Sequence, residues 1–205
     1  MEKIDVPKNV VSRLPRYLQA LNKLAREGQG VISSIELGEN LGLTAAQIRK
    51  DLSYFGGFGK QGSGYQVTRL MDEIQKILNT NRIWQIAIVG LGEFGKGLVH
   101  YHELGSHGLE IKLAFDADPA RIGMTVGTLE VQDVAEFKDL VREHDIKIAI
   151  LAVSPEDAQA VANLMVDGGI KAILNYAPLK LDLPAGVYVQ NADPIQALQR
   201  MTFYL

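Results

Sequence analysis

The segment "AIVGLGEFGKG", residues 87–97, constrains the fold more than any other part of the chain. An apolar run leads into Gly90, Gly92 and Gly95, which have the GxGxxG spacing, and a helical pattern follows. In such a loop the first glycine makes a tight turn, the second lets the backbone approach a pyrophosphate, and the third lets a helix pack closely on a strand. A strand, a glycine turn and a helix in this order predict a dinucleotide-binding unit.

Apolar runs alternate with helical segments through the rest of the chain from residue 83, as in a buried parallel sheet. The predicted strands are "IWQIAIVG", "IKLAFDAD", "IKIAILAV", "IKAILNYA" and "GVYVQNAD", with helices near 93–104, 133–143 and 155–167. This order predicts an α/β fold with a Rossmann-type doubly wound parallel sheet. The second strand ends at Asp116, 26 residues after Gly90. We expect its carboxylate to bind the adenine ribose and to repel a 2′-phosphate, which favours NAD(H) over NADP(H).

Residues 10–78 have a helical pattern instead, with Leu14, Leu18 and Leu21 at helix spacing. Ser33 with Glu36, and Thr44 with Gln47, match the capping box that begins a helix. The turn "NLGLT" separates these two starts. The segments "SSIELGEN" and "TAAQIRKDLSYF" are therefore predicted to form a helix-turn-helix.

The second of these helices has the composition of a DNA recognition helix. Ile48, Leu52 and Phe55 form its apolar stripe, which leaves polar and basic residues toward solvent. The following "GGFGKQGSGYQV" fits a short hairpin with its tip on DNA, which would make a winged helix; a flexible glycine linker is the alternative. A further helix is predicted in "TRLMDEIQKILN". The candidate DNA-binding residues are Thr44, Gln47, Arg49, Lys50, Ser53, Tyr54 and Lys60.

Charge and cysteine content limit the possible functions. Residues 1–80 carry 11 Lys and Arg against 8 Asp and Glu, whereas residues 81–205 carry 10 against 16. The basic excess lies where the DNA-binding segment is predicted, although counts this small also arise by chance. With no cysteine, disulfides and cysteine nucleophiles are excluded. No signal sequence or membrane-length apolar run is present, so we expect a cytoplasmic protein.

The chain offers little machinery for catalysis. Only "PIQALQRMTFYL" follows the last predicted strand, which leaves no substrate domain. His100, His102, His107 and His144 are the only histidines, and no nucleophile-elbow motif is present. We therefore expect a protein that is not an enzyme, binds no metal and uses the nucleotide as a signal. A CoA- or nucleotide-binding metabolic subunit and a small NAD-dependent oxidoreductase remain alternatives.

Four segments together resemble the Rex family, the bacterial redox-sensing repressors that respond to the NADH/NAD⁺ balance: "QIRKDLSYFGGFGKQGSGY", "VGLGEFGKGL", "FDADPARIG" and "ILNYAP". The resemblance implies a homodimer that grips a palindromic operator in double-stranded DNA and releases it on binding NADH. It implies a winged-helix domain at 1–80, an NAD(H)-binding Rossmann domain at 81–192 and a swapped C-terminal helix at 193–205.

Site residues follow from the same resemblance. Arg49 and Lys50 would face DNA. Tyr101 matches a tyrosine near the nicotinamide, and Asp193 an aspartate that pairs with that tyrosine and with an arginine of the first helix. The chain has Gln19 in place of that arginine, with Arg16 nearly one turn earlier. We expect an uncharged nicotinamide lining and a paired Asp193 in the NADH state. The full candidate cofactor set is Gly90, Gly92, Glu93, Phe94, Gly95, Tyr101, Asp116 and Asp193.

Overall fold

The computed structural model of the protein describes residues 6–58 and 64–205. The chain divides into two units, Met1–Arg82 and Ile83–Leu205, and each buries a core of its own. Among the described residues, no helix is long and apolar enough to cross a membrane.

The first unit is helical. Its helices are α1 (Lys8–Val11), α2 (Leu14–Arg26), α3 (Ser34–Leu41), α4 (Ala45–Ser53) and α5 (Val67–Leu78). The core includes Leu21 of α2, Leu37 of α3, Ile48 and Leu52 of α4, and Leu70 of α5, all buried. The apolar stripe predicted for α4 is therefore the face that holds this helix in the unit.

Side-chain caps begin both helices of the predicted helix-turn-helix. The Ser33 hydroxyl accepts a hydrogen bond from the Glu36 amide, and the Thr44 hydroxyl accepts one from the Gln47 amide. Between the helices Gly42 adopts φ +67°, a left-handed conformation that suits glycine. The predicted helix-turn-helix is confirmed in these elements.

The predicted wing differs in its strand pairing. The short strand β2 (Tyr65–Gln66) pairs antiparallel with β1 (Val31–Ile32), which precedes α3. A side chain on Gly64 would place its Cβ 2.8 Å from the Ile32 carbonyl oxygen, so glycine permits this close approach. The partner strand is distant in sequence and two residues long, so local periodicity does not reveal it. The predicted tip, including Lys60, lies outside the described residues.

The second unit contains one seven-stranded sheet. Its strands are β3 (Trp84–Val89), β4 (Leu109–Asp116), β5 (Thr125–Val126), β6 (Leu129–Asp133), β7 (Ile148–Leu151), β8 (Ala172–Asn175) and β9 (Tyr188–Asn191). The spatial order is β5-β6-β4-β3-β7-β8-β9, and only β5 and β6 pair antiparallel. The six parallel strands have the 3-2-1-4-5-6 order of the Rossmann fold, so the predicted doubly wound sheet is confirmed. The sequence interpretation missed β5 and β6 because both are short and half-exposed.

Helices cover both faces of this sheet. They are α6 (Glu93–Val99), α7 (Glu103–Ser106), α8 (Phe137–Glu143) and α9 (Pro155–Gly168), with a 3₁₀ turn at Val134–Glu136. A further helix, α10 (Pro194–Thr202), follows β9 and buries none of its residues. The helix predicted at 93–104 is divided between α6 and α7, and the one predicted at 133–143 begins as the 3₁₀ turn. Separate apolar clusters lie on the two sheet faces, as expected for strands buried on both sides.

Candidate functional site

The three motif glycines occupy different environments at the carboxyl end of β3. A Cβ on Gly90 would lie 2.3 Å from the Ala152 carbonyl oxygen, and one on Gly95 would lie 1.8 Å from the Gly90 carbonyl oxygen. A Cβ on Gly92 would meet no heavy atom within 4 Å. Gly90 and Gly95 thus serve turn and packing, and Gly92 borders open space. This arrangement fits a loop whose backbone approaches a pyrophosphate at Gly92.

Asp116 ends β4 beside this loop, and its carboxylate already has several partners. One oxygen accepts the Leu91 amide at 2.7 Å, and the other accepts the Asp118 amide at 2.9 Å. The Arg121 guanidinium lies 3.1 Å from the first oxygen and 3.4 Å from the second. The side chain is nearly buried, with Asp116 5% exposed. A ribose hydroxyl would have to share or replace one of these contacts, since a carboxylate offers about four acceptor positions.

These contacts keep Asp116 ionised. Burial acts to raise its pKa, but the two backbone N–H bonds and Arg121 outweigh burial and hold the pKa below its ordinary value. Sequence reasoning missed Arg121, which also lies 3.6 Å from the Asp118 carboxylate. Its place in "FDADPARIG", just after the strand-terminal acid, was the available signal. At the predicted ribose end, the Asp116 carboxylate is therefore ionised and paired with the Arg121 guanidinium.

A cleft of about 630 Å³ lies against α6, within reach of the loop. It brings together four sequence-predicted residues, Glu93, Phe94, Tyr101 and Asp193. Tyr176, from the "NYAP" segment, completes one wall with its ring centroid 4.6 Å from that of Phe94. The other lining residues are Gly97, Leu98, Ala192 and Pro194. The lining is thus largely uncharged, as expected, apart from two carboxylates.

Both carboxylates at the cleft have partners. Glu93 pairs with Lys96 at 3.3 Å. Asp193 caps α10, where one oxygen accepts the Ile195 amide at 2.9 Å and the Gln196 amide at 3.1 Å. The predicted pairing of Asp193 with Tyr101 is not among the hydrogen bonds of the described residues, and it stays a prediction for the NADH state.

The candidate DNA-facing residues lie mainly on the exposed side of α4. Arg49, Lys50 and Ser53 are exposed, and so is the cap residue Thr44. The Arg49 guanidinium donates to the hydroxyl of Ser34, the first residue of α3, at 2.9 Å. Tyr54 is half-buried at the end of α4. The exposed side of α4 therefore presents two cations and the Ser53 hydroxyl, and Thr44 lies at the start of the helix.

A buried ionic cluster supports α4 from behind. Asp51 is fully buried and accepts from Arg13 Nε at 2.6 Å, from Arg13 Nη2 at 2.8 Å and from the Tyr17 hydroxyl. The side-chain nitrogen of Gln47, Nε2, donates to the same carboxylate at 2.6 Å. Gln47, a predicted DNA-binding residue, therefore also stabilises its own helix. Burial would raise the pKa of Asp51, but these hydrogen bonds hold it below its ordinary value. Sequence reasoning missed Arg13 and Asp51, although Asp51 directly precedes Leu52 of the apolar stripe.

Gln19 stands where the Rex family has an arginine, and Arg16 is the nearest arginine on the same helix. Gln19 is exposed on α2. Arg16 donates to the Leu41 carbonyl oxygen at 2.9 Å, so it caps the end of α3. Arg16 is therefore already engaged in the helix-turn-helix.

Known proteins resemble this chain in both units. Residues 5–53 match the family model "Putative DNA-binding protein N-terminus", and residues 81–179 match "CoA binding domain". A redox-sensing transcriptional repressor Rex of Chloroflexus aurantiacus is 48% identical over 206 residues, spanning 100% of this chain and 97% of the relative. A Rex protein of Clostridium perfringens is 40% identical over 196 residues, spanning 96% and 92%.

Solved structures also resemble this chain over nearly its whole length. RSP in complex with β-NAD⁺ and operator DNA matches with a TM-score of 0.94 and 37% identity, covering 98% of this chain and 93% of RSP. RSP in complex with β-NADH matches with a TM-score of 0.89 and 35% identity, covering 98% and 95%. Because the likeness spans both units and nearly the whole chain, the resemblance found in the sequence is confirmed: this chain belongs to the Rex family of redox-sensing transcriptional repressors.

Proposed function

We propose that this protein represses transcription by binding operator DNA through its first unit, and that NADH bound to the second unit weakens this binding. One observation carries the proposal. The related RSP has been solved both with NAD⁺ and operator DNA and with NADH, and each structure matches 98% of this chain. Both ligands therefore belong to a fold that this chain shares.

The open space at Gly92 and the cleft against α6 support a binding site for the cofactor on the second unit. The pyrophosphate would lie at Gly92, where the backbone borders open space, and the nicotinamide would enter the cleft at Tyr101 and Tyr176. NAD⁺ carries a positive charge on the nicotinamide that NADH lacks. A cation in a largely uncharged cleft loses hydration, and both nearby carboxylates already have partners, so the site favours neutral NADH.

The DNA side rests on the cations of α4. Lys50 and Arg49 are exposed near the middle of the helix, and residues of a recognition helix reach base edges in the major groove. Lys60 would add a phosphate contact from the wing. We place the protein in the cytoplasm, because a repressor must meet its operator where the chromosome lies.

The exposed face of α10 supports a homodimer. Ile195, Leu198 and Met201 recur at helix spacing and are each about 60% exposed, and Phe203, Tyr204 and Leu205 follow them. A contiguous apolar surface of this kind indicates a protein interface. We propose that a second copy covers it, through exchange of the helix or through pairing.

We also propose that the protein has no catalytic activity of its own. The proposal is supported by the curated relatives, which are transcriptional repressors. The match of residues 81–179 to a CoA-binding family is the one observation that favours a different ligand. CoA therefore belongs in the binding experiments as a competitor.

Fluorescence anisotropy with the operator duplex of the RSP complex tests the proposal. We expect binding without nucleotide or with NAD⁺, release by NADH, and no effect of CoA. Linkage requires that operator DNA weaken NADH binding by the same factor by which NADH weakens DNA binding. Unchanged NADH affinity in the DNA complex would refute the sensor, and hydride transfer to simple alcohols or aldehydes would refute the non-enzymatic assignment.

A further inference from the structure

Asn175 is a fully buried amide at the carboxyl end of β8, and every part of its side chain is engaged. Its oxygen accepts the Ala177 amide at 3.0 Å. Its nitrogen lies 3.1 Å from the carbonyl oxygens of Ala177 and Leu179 and 3.0 Å from the Asn191 side-chain oxygen, so its two N–H groups are shared among three acceptors. The side chain thus holds both the loop that follows its own strand and a residue of the next strand.

The two segments joined by Asn175 both contribute residues to the cleft. The loop after β8 begins with Tyr176, which lines the cleft and touches Phe94. Asn191 ends β9 and leads directly into Ala192 and Asp193, which also line it. A backbone hydrogen bond also joins the two segments, since the Ala192 amide donates to the Asn175 carbonyl oxygen at 2.8 Å.

We propose that Asn175 is a positioning residue that, through Asn191, sets the spacing between Tyr176 and Asp193 and so shapes the nicotinamide end of the site. This inference rests on the proposed function, since it assumes that the nicotinamide occupies this cleft. Asn175 itself is buried and contacts no cofactor. Its effect reaches the ligand only through the two segments that it joins.

The hydrogen bond between the two asparagines can be removed from its exposed side. Asn191 is exposed, so Asn191→Ala deletes the acceptor while leaving the three bonds of Asn175 within its own loop. The lost preorganisation should weaken NADH binding by about 2- to 13-fold, the range that one net hydrogen bond corresponds to. ADP-ribose has the same adenylate half and no nicotinamide, so its affinity should stay within about twofold of wild type.

Two variants of β9 serve as controls. Gln190→Ala removes an exposed amide from the neighbouring position, where the side chain contacts Tyr188 and the Asn191 carbonyl rather than the loop. It should leave both affinities unchanged. Asn191→Asp keeps an acceptor oxygen and should retain the wild-type ratio of NADH to ADP-ribose affinity, because the reduced ring carries no charge for the new carboxylate to attract.

Calorimetric titration of the full chain with NADH and with ADP-ribose measures these ratios, and thermal unfolding checks the fold of each variant. A loss confined to NADH in Asn191→Ala, with recovery in Asn191→Asp, supports the positioning role. Equal losses for both ligands, or no loss, overturn it while leaving the proposed function in place. A wild-type chain that binds neither ligand overturns the proposed function and this inference together.

Discussion

Replacing Gly92 by alanine should remove most NADH binding and leave the fold intact. A Cβ at this position meets no heavy atom within 4 Å, and the backbone at φ −63° and ψ −176° is one that alanine adopts freely. Gly92 is also the residue before α6, where glycine gives only a modest advantage over alanine. The cost in unfolding free energy should therefore stay below about 1 kcal/mol.

NADH affinity should fall because the added methyl group would take the space that we assign to the pyrophosphate. Backbone N–H groups that bind a charged phosphate contribute about 1.5–3 kcal/mol each. A methyl group that separates the backbone from one phosphate oxygen removes about one such bond, so NADH should bind about 13- to 160-fold more weakly.

Gly95→Ala provides the matched comparison three residues away. Its Cβ would lie 1.8 Å from the Gly90 carbonyl oxygen, so the helix must move away from the strand. Overpacking of this kind costs about 1–3 kcal/mol or more in folding free energy. We expect Gly95→Ala to lower the melting temperature clearly and Gly92→Ala to change it little.

Titration calorimetry with NADH, thermal unfolding and anisotropy with operator DNA distinguish the two variants. Gly92→Ala should still bind DNA, but NADH should no longer release it at concentrations that release the wild type. Wild-type NADH affinity in Gly92→Ala would show that the cofactor does not approach this glycine, and our placement of the pyrophosphate would be wrong.

Five further predictions concern four separate residues. Lys50→Ala should weaken operator binding and reduce the slope of log affinity against log salt by about 1, since each neutralised phosphate contributes about 0.9; an unchanged slope would remove Lys50 from the phosphate contacts. Asp51→Ala should cost about 3–5 kcal/mol in urea unfolding, because it strands the Arg13 charge. In the wild type, the lowered pKa of Asp51 contributes stability that is present above the unfolded value of about 3.9 and is lost as pH falls through the folded pKa; a flat stability profile across that range contradicts this. Asp116→Ala should weaken NADH binding and narrow its advantage over NADPH, because it frees Arg121 to meet a 2′-phosphate; equal wild-type affinities for both cofactors exclude the role. Leu198→Asp should convert the proposed dimer to a monomer in light scattering, whereas a variant that remains dimeric would place the interface elsewhere.

Features that depend on neighbouring residues could be predicted from the sequence. The caps at Ser33 and Thr44 join residues three positions apart, and the apolar stripe of α4 follows the helical repeat. The roles of Gly90 in the turn and of Gly95 in helix packing follow from a strand, a turn and a helix that are adjacent in the chain. Of the four predicted cleft residues, Glu93 and Phe94 lie within the glycine motif, whereas Tyr101 and Asp193 came from the resemblance. Only the tertiary structure shows that all four line one cleft.

Only the tertiary structure decided which distant groups meet. Four contacts join segments that are far apart in the sequence: the pairing of β1 with β2, the place of β6 in the sheet, the hydrogen bond from the Leu91 amide to Asp116, and the bond between Asn175 and Asn191. A polar side chain in the sequence shows that it needs partners when buried, but any of many donors could satisfy it. Which donor does so depends on how strands and loops pack. A hydrogen bond needs its donor and acceptor to lie about 3 Å apart in space, and separation along the sequence does not determine which groups come that close.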